Sequence, residues 1–407
     1  MNLTATATAT TSGIRRGLLP LLLLGNVAMY TVYLGIGGVL VPAQVAAIDP
    51  VHKVTSLGLV AGVSAVFATL FNPIAGALSD RTGRRNPWIL GGGLAALGVF
   101  VLLGHAGTVL LVTIGWCLGQ AAMNVYQAAL TAVVPDRVPA ARRGVASAVV
   151  GLGVPIGGTV GVAIASATVG TPSTGYLVLG VVVAGAALAF TLFARERRAE
   201  PAPVAGLGEQ VRVFLSCLAH HDFRWAFIGR ALLVLGYFTV SAYQLYILTD
   251  HIRLPAGLTP AGAVAVLTPI AMGAMALATV AGGVLSDRLD RRKIFIGVSA
   301  VLAGLVMLIP LASPTWTGML LFGALNGLAF GCFMAVDTAL VTLVLPRAED
   351  AARDLGVLNI ANAGPQIIAP FVASMIVTAA GYGELFLIGG VLSVLGALAI
   401  IPVRSVR

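Results

Sequence analysis

Apolar residues run in blocks of about 20 along nearly the whole chain, broken by short polar or charged punctuation. A block of that length, rising about 1.5 Å per residue as a helix, crosses the roughly 30 Å hydrocarbon core of a bilayer. The pattern predicts twelve spans, over residues 17–41, 54–78, 87–104, 109–134, 143–168, 175–194, 224–249, 258–285, 293–312, 315–345, 355–380 and 383–403. The short alternating segments of a membrane β-barrel are not part of the pattern. The predicted class is an all-α membrane protein of twelve transmembrane helices.

The longest polar break, residues 195–223, falls between spans six and seven and carries Arg195, Glu196, Arg197, Arg198, Pro201 and Pro203. It reads as a linker between two six-helix bundles, residues 17–194 and 224–403. Its second part, Leu207 to Leu218, is either a short amphipathic helix on the membrane surface or unstructured. Residues 1–16, with a Thr-Ala repeat, and 404–407 read as terminal tails, and the repeat lacks the cationic start and cleavage pattern of a signal peptide.

The halves also match in sequence. Gly76-Ala77-Leu78-Ser79-Asp80-Arg81-Thr82-Gly83-Arg84-Arg85 returns 207 residues later as Gly283-Val284-Leu285-Ser286-Asp287-Arg288-Leu289-Asp290-Arg291-Arg292. Ala129-Leu130 matches Ala339-Leu340, and Gly144 matches Gly356. Such internal symmetry is expected where two helical repeats enclose a site at their interface.

The chain is 58% hydrophobic and 10% charged, against about a quarter charged for a soluble protein. Its net charge of +9 suggests nucleic acid until its placement is read. All but three of the 24 Lys and Arg fall on one side of the predicted spans, the exceptions being Lys53, Arg253 and the intramembrane Arg230. The positive-inside rule then puts both termini in the cytoplasm and makes the basic surplus a topology signal with some attraction to anionic lipid, not a nucleic-acid site. Cys117, Cys217 and Cys332 are isolated and read as inert thiols. No phosphate-binding loop, metal motif or nucleophile elbow stands in a plausible context, so the chain is read as a non-enzyme with no cofactor or metal, and any transport as gradient-driven.

The loop from Gly76 to Arg85 resembles in full the G-x-L-x-D-R-x-G-R-R hairpin between spans two and three of the major facilitator superfamily. The second copy departs at Asp290, where that pattern has glycine. The resemblance covers all twelve spans and implies two pseudo-symmetric bundles that rock about a central site. It also implies gating roles for Gly76, Asp80, Arg81, Gly83, Arg84, Arg85, Asp287, Arg288, Arg291 and Arg292. On this reading Gly76 and Gly283 allow close helix approach, and Asp80 meets the N-terminal end of span eleven near Arg353 to Gly356. The alternative is that these arginines only fix topology. Arg84-Arg85-Asn86-Pro87-Trp88-Ile89 and Asp354 to Asn362 resemble sucrose/proton symporter-like and glycoside transporters, although span four carries amides where plant-type members carry an acid. Gly153-Val154-Pro155-Ile156-Gly157-Gly158 is similar to an element of proton-coupled drug antiporters, or is a stripe of small residues for helix packing.

Polar residues inside the spans fall at helical spacing. Asn26, Tyr30, Tyr33 and Gly37 share a face of span one, and Gln120, Asn124, Gln127 and Thr131 a face of span four. Tyr237, Ser241 and Gln244 lie on span seven, Asn326 and Asp337 on span ten, and Asn359, Asn362 and Gln366 on span eleven. Amides and tyrosines offer hydrogen bonds without charge, which suits a neutral polyhydroxylated solute, and the tyrosine rings offer stacking faces. Each single amide is equally readable as glue between helices.

Of the fifteen acidic residues, only Asp337 lies deep in an apolar run, about 13 Å from the basic side. A carboxylate there costs at least ~2.5 kcal/mol unless it is paired or protonated. Arg230 lies at about 9 Å on span seven. The pair is expected to form an ion pair that breaks when Asp337 takes a proton, against the alternative of a permanent bridge.

The sequence thus reads as a monomeric secondary transporter of a bacterial inner membrane, taking a small-molecule substrate with protons by alternating access. A sugar or glycoside is favoured, and proton-antiport export of a drug or secreted metabolite is the alternative. A non-transporting receptor is a remote third reading.

Overall fold

The computed structural model describes residues 17–196, 216, 218–289, 291–344 and 351–403. The side chains of Ala140, Asp287, 338–344 and 351–359 lie outside that description, as do both tails, Cys217, Asp290 and the segments 197–215 and 345–350.

Among the described residues, twelve helices are long and apolar enough to cross a membrane. They are α1 (Leu18–Ile48), α2 (Lys53–Thr82), α3 (Asn86–Leu103), α4 (Val109–Arg137), α5 (Arg143–Ala167) and α6 (Pro172–Phe193). The second six are α7 (His221–Ser241, continued by Gln244–Asp250), α8 (Pro260–Leu289), α9 (Arg292–Ala312), α10 (Trp316–Val344), α11 (Ala351–Ala379) and α12 (Tyr382–Ile400). All twelve coincide with the predicted spans, eleven to within a few residues, while α1 runs to Ile48, past its predicted end at residue 41. In hydrocarbon each backbone N–H and C=O must be paired, and helices do this within one segment. The interruptions have local causes. Pro155 has no N–H to give Gly151, and α5 breaks at Leu152; Pro310 has none for Val306, and α9 breaks at Met307.

The six-helix halves repeat their packing. Helix α1 packs on α5 as α7 packs on α11, α2 on α4 as α8 on α10, and α3 on α6 as α9 on α12. The equivalence reaches single side chains. Asn86 opens α3 and donates from Nδ2 to the Ala194 carbonyl at the end of α6, 2.6 Å away. Lys293, 207 residues later, opens α9 and donates from Nζ to the Ile401 and Val403 carbonyls at the end of α12, at 2.6 and 2.7 Å. In both halves a side-chain donor satisfies carbonyls that a helix end leaves unpaired.

Glycine sets the closest contacts. A Cβ at Gly157 or Gly161 of α5 would collide with the backbone carbonyls of Val27 and Thr31 on α1, and one at Gly153 would come within 2.7 Å of Asn26 Cβ. Thr31 Oγ1 donates to the Gly157 carbonyl at 3.1 Å. The span-five element that is similar to a drug-antiporter motif therefore packs against α1, through glycines four residues apart. Gly327 and Gly331 of α10 press in the same way on the backbone of α8 at Ala271 and Met275.

The two halves meet on the face opposite the charged hairpins. There Lys53 Nζ pairs with Asp250 at 2.7 Å and lies 5.2 Å from the Tyr246 ring centroid. Tyr382 donates to Asp250 at 2.8 Å. Tyr243, in the turn that breaks α7, donates to the Val54 carbonyl, and Tyr246 to the Pro42 carbonyl. Ser166 of α5 donates to Ala261 of α8. Deeper in, Gly58 and Gly62 of α2 receive Ser374 and Phe371 of α11. On the hairpin face, by contrast, a Cβ at Gly76 or Gly144 would meet nothing within 4 Å among the described residues, and one at Gly283 nothing nearer than Ala335 at 3.9 Å. The described contacts between the halves thus lie on the opposite face, and the close helix approach expected at Gly76 and Gly283 is not among them.

Candidate functional site

The most distinctive interior group lies among α7, α10 and α11. Arg230 Nη1 is 3.3 Å from Asp337 Oδ2, and Arg230 Nε donates to Asn362 Oδ1 at 2.9 Å. The side chains are 8% and 1% exposed, so water compensates neither charge to any extent. The ion pair is close by distance but poorly aligned: among the described residues neither Asp337 oxygen accepts a hydrogen bond. An Arg–carboxylate pair at its strongest is bidentate, and this one is a single loose contact. The structure therefore brings Arg230, Asp337 and Asn362 together, the third not foreseen as a partner of the first two.

The amide stripes divide. Tyr33 of α1 donates to Gln127 of α4 at 2.9 Å, and Asn72 of α2, absent from the predicted set, donates to Asn124 at 2.9 Å. Asn26 bonds the Leu22 carbonyl of its own helix and packs beside Gly153 of α5. The Tyr237 ring is stacked on Phe330 at 3.9 Å between centroids, so that face is not free to stack on a solute. Ser241 donates to its own helix at the Tyr237 carbonyl. Tyr30, Gln120 and Gln244 are partly buried, and Gln366 and Thr131 are exposed. Asn326 is 7% exposed and its Oδ1 has no partner among the described residues. The Asn359 side chain lies outside the described residues.

The first hairpin is the hub of a charged network. Arg85 binds Asp80 at 2.6 Å and Asp136 at 2.8 Å, and its Nη1 also donates to Ser79 Oγ at 2.8 Å. Asp80 is thus engaged by an arginine of its own hairpin, where the sequence suggested helix eleven. Glu196 accepts from the backbone N–H groups of Arg85 and Asn86, and Arg137 donates to Glu196 and to Asn86 Oδ1. A carboxylate at the N-terminus of α3 complements the helix dipole. Gly83, at φ 62°, takes the left-handed conformation that ends α2 after Thr82. Arg81 and Arg84 are exposed, as are Arg288 and Arg291 of the second hairpin; Arg292 is partly buried, and the Asp287 side chain lies outside the described residues. Asp136, Arg137 and Glu196 are missing from the predicted set, because charge counting at span ends treats them as topology alone.

Two surface grooves, about 390 and 590 Å³, lie on α3 with α4 and on α3 with α6, away from the interior charge pair. The sequence matches the Major Facilitator Superfamily over residues 21–275 and 256–407. The chain belongs to that superfamily. A curated relative, the MFS transporter asaE of Aspergillus flavus, is 24% identical over 356 residues, 84% of this chain and 75% of the relative. Among solved structures, a peptide transporter POT in complex with sulfate superposes with a TM-score of 0.77 at 15% identity, over 96% of each chain. A POT family transporter in complex with 5-aminolevulinic acid gives 0.72 at 12% identity, over 94% and 95%. A bacterial homologue of the human lysosomal transporter Spinster, inward-facing and occupied, gives 0.71 at 16% identity, over 96% and 94%. At these identities the structural likeness carries the fold. This chain of the Major Facilitator Superfamily is accordingly a multi-pass membrane transporter and not an enzyme.

Proposed function

We propose that the chain is a proton-coupled secondary transporter working by alternating access, with a small polyhydroxylated solute of the sugar class as substrate. The observation that carries the coupling is the Arg230–Asp337 pair, a loose interior ion pair whose carboxylate is within reach of one cation and no hydrogen-bond donor among the described residues. Protonating Asp337 releases Arg230, and re-forming the pair releases the proton. The positive-inside distribution supports a cytoplasmic hairpin face and cytoplasmic termini, in a bacterial plasma membrane. On that orientation an inward-facing conformation is supported: the outer side is held by Lys53, Asp250, Tyr243 and Tyr246, while a Cβ at Gly76 or Gly144 meets nothing within 4 Å among the described residues. The side-chain amides of Gln120, Gln244, Asn326 and Gln366 supply hydrogen bonds for the solute. Packing of Gly153, Gly157 and Gly161 on α1 accounts for the span-five element without a drug-export role.

The test is uptake by the purified protein in liposomes. With the outside acidic, a sugar or sugar acid is expected to accumulate above its external concentration. Uptake that only equilibrates, whatever the pH gradient, would contradict coupling.

A further inference from the structure

The charges of the interior site define the charge of its substrate. The inward-facing ion pair is Arg230 with Asp337, and no other charged side chain is placed at that depth among the described residues. The remaining charged groups of the neighbouring elements sit at span ends: Asp222, Arg224 and Asp250 on α7, Asp287 and Arg288 on α8, Arg292 and Lys293 on α9 and Glu384 on α12. Arg353 and Asp354 begin α11, and Tyr237, seven residues beyond Arg230 on α7, is held against Phe330. The site is therefore neutral when Asp337 is ionised and carries +1 when Asp337 is protonated, because arginine keeps its proton. A guanidinium freed in an interior 93% out of water must be compensated again.

The donors for a new partner are in place. Arg230 gives Nε to Asn362, and among the described residues the recorded partner of its Nη edge is Asp337, at 3.3 Å. A planar guanidinium edge matches a carboxylate bidentately, which the single contact to Asp337 does not exploit. Asn362 is partly exposed, and Gln366, one turn along α11, is exposed, so the site is reachable along that helix. We propose that the substrate carries one carboxylate, as a sugar acid or small hydroxy acid does, and that this carboxylate takes the place of Asp337 on Arg230. The proposal rests on the proton-coupled reading above and names the class of solute that reading serves. Proton and anion then bind cooperatively, each needing the other at the same guanidinium, and one cycle moves no net charge. A cation gains nothing at such a site in either protonation state. A neutral sugar gains only hydrogen bonds.

The experiment measures binding of gluconate, glucuronate, lactate and glucose to purified protein by calorimetry at pH 5.5 and pH 8. Asp337→Asn imitates the protonated carboxyl without removing Arg230. It is expected to bind at least one of the three acids about 10-fold tighter than wild type at pH 8, with affinity that no longer changes with pH. Wild type is expected to approach that affinity only at pH 5.5. The double variant Asp337→Asn/Arg230→Gln leaves no buried charge to destabilise the fold, and is expected to lose the gain for acids, while glucose shows no comparable gain from Asp337→Asn. The proposal is overturned if none of the acids gains from Asp337→Asn, or if glucose gains equally. The two readings fail separately. Tighter acid binding without gradient-driven accumulation would keep the substrate class and remove the coupling, whereas gradient-driven glucose accumulation with no acid binding would keep the coupling and remove the class.

Discussion

Replacing Arg230 by methionine is expected to destabilise the protein by about 3–5 kcal/mol and to abolish gradient-driven transport. The cost arises because Asp337, 1% exposed, loses the one cation near it among the described residues and must stay ionised without compensation or take up a proton. Removing both charges, as Arg230→Met with Asp337→Leu, is expected to recover the lost stability, since well-packed apolar replacements of a buried pair are neutral or favourable by about 1–4 kcal/mol. Thermal unfolding in detergent measures the first effect and its reversal. Transport should remain absent in the double variant. A double variant that is both stable and still proton-coupled would mean that the pair is only a structural bridge.

The second large effect is expected at Gly161. Replacement by leucine forces a side chain into the space held by the Thr31 carbonyl, and backbone on α1 cannot yield as a flexible side chain does. Overpacking of this kind costs about 1–3 kcal/mol and occasionally more, and here separation of α5 from α1 also loses the Thr31–Gly157 hydrogen bond, worth about 1 kcal/mol. A loss of about 3 kcal/mol or more is expected, read as a lowered melting temperature and reduced yield of folded protein. Gly98→Ala in α3, where a Cβ meets nothing within 4 Å, is the control and should be neutral or slightly stabilising. Equal tolerance of both changes would contradict the glycine account of α5.

The spans were legible because a bilayer demands about 20 apolar residues whatever else a helix does. The meeting of Arg230 and Asp337 was legible for a related reason: charge is so costly at that depth that two isolated charges at similar depth are expected to find one another. Amides carry no such compulsion. Asn124 and Gln127 show the same spacing in sequence whether they face a solute or, as here, take hydrogen bonds from Asn72 and Tyr33. Closure of the face opposite the hairpins was illegible because Tyr243 and Tyr246 bind backbone carbonyls, which no residue pattern marks. Glu196 lay in a segment read as linker, yet its carboxylate caps α3, a contact set by how α6 returns beside α3 rather than by local sequence.

The hairpin pair gains a sharper meaning from the same comparison. Gly83 ends α2 with a left-handed residue, which glycine adopts at no steric cost, whereas the second copy has Asp290 at that position. The first copy also has Arg85 bound between Asp80 and Asp136. In this conformation that network joins helices of one half.

The most direct measurement of the central claim compares two modes of transport by Asp337→Asn in liposomes, using the solute that wild type accumulates. Exchange of labelled for unlabelled solute needs no change in protonation, and net accumulation in an acid-outside gradient does. The account predicts that the variant retains exchange and loses accumulation. Accumulation at the wild-type level, with its pH dependence intact, would contradict it.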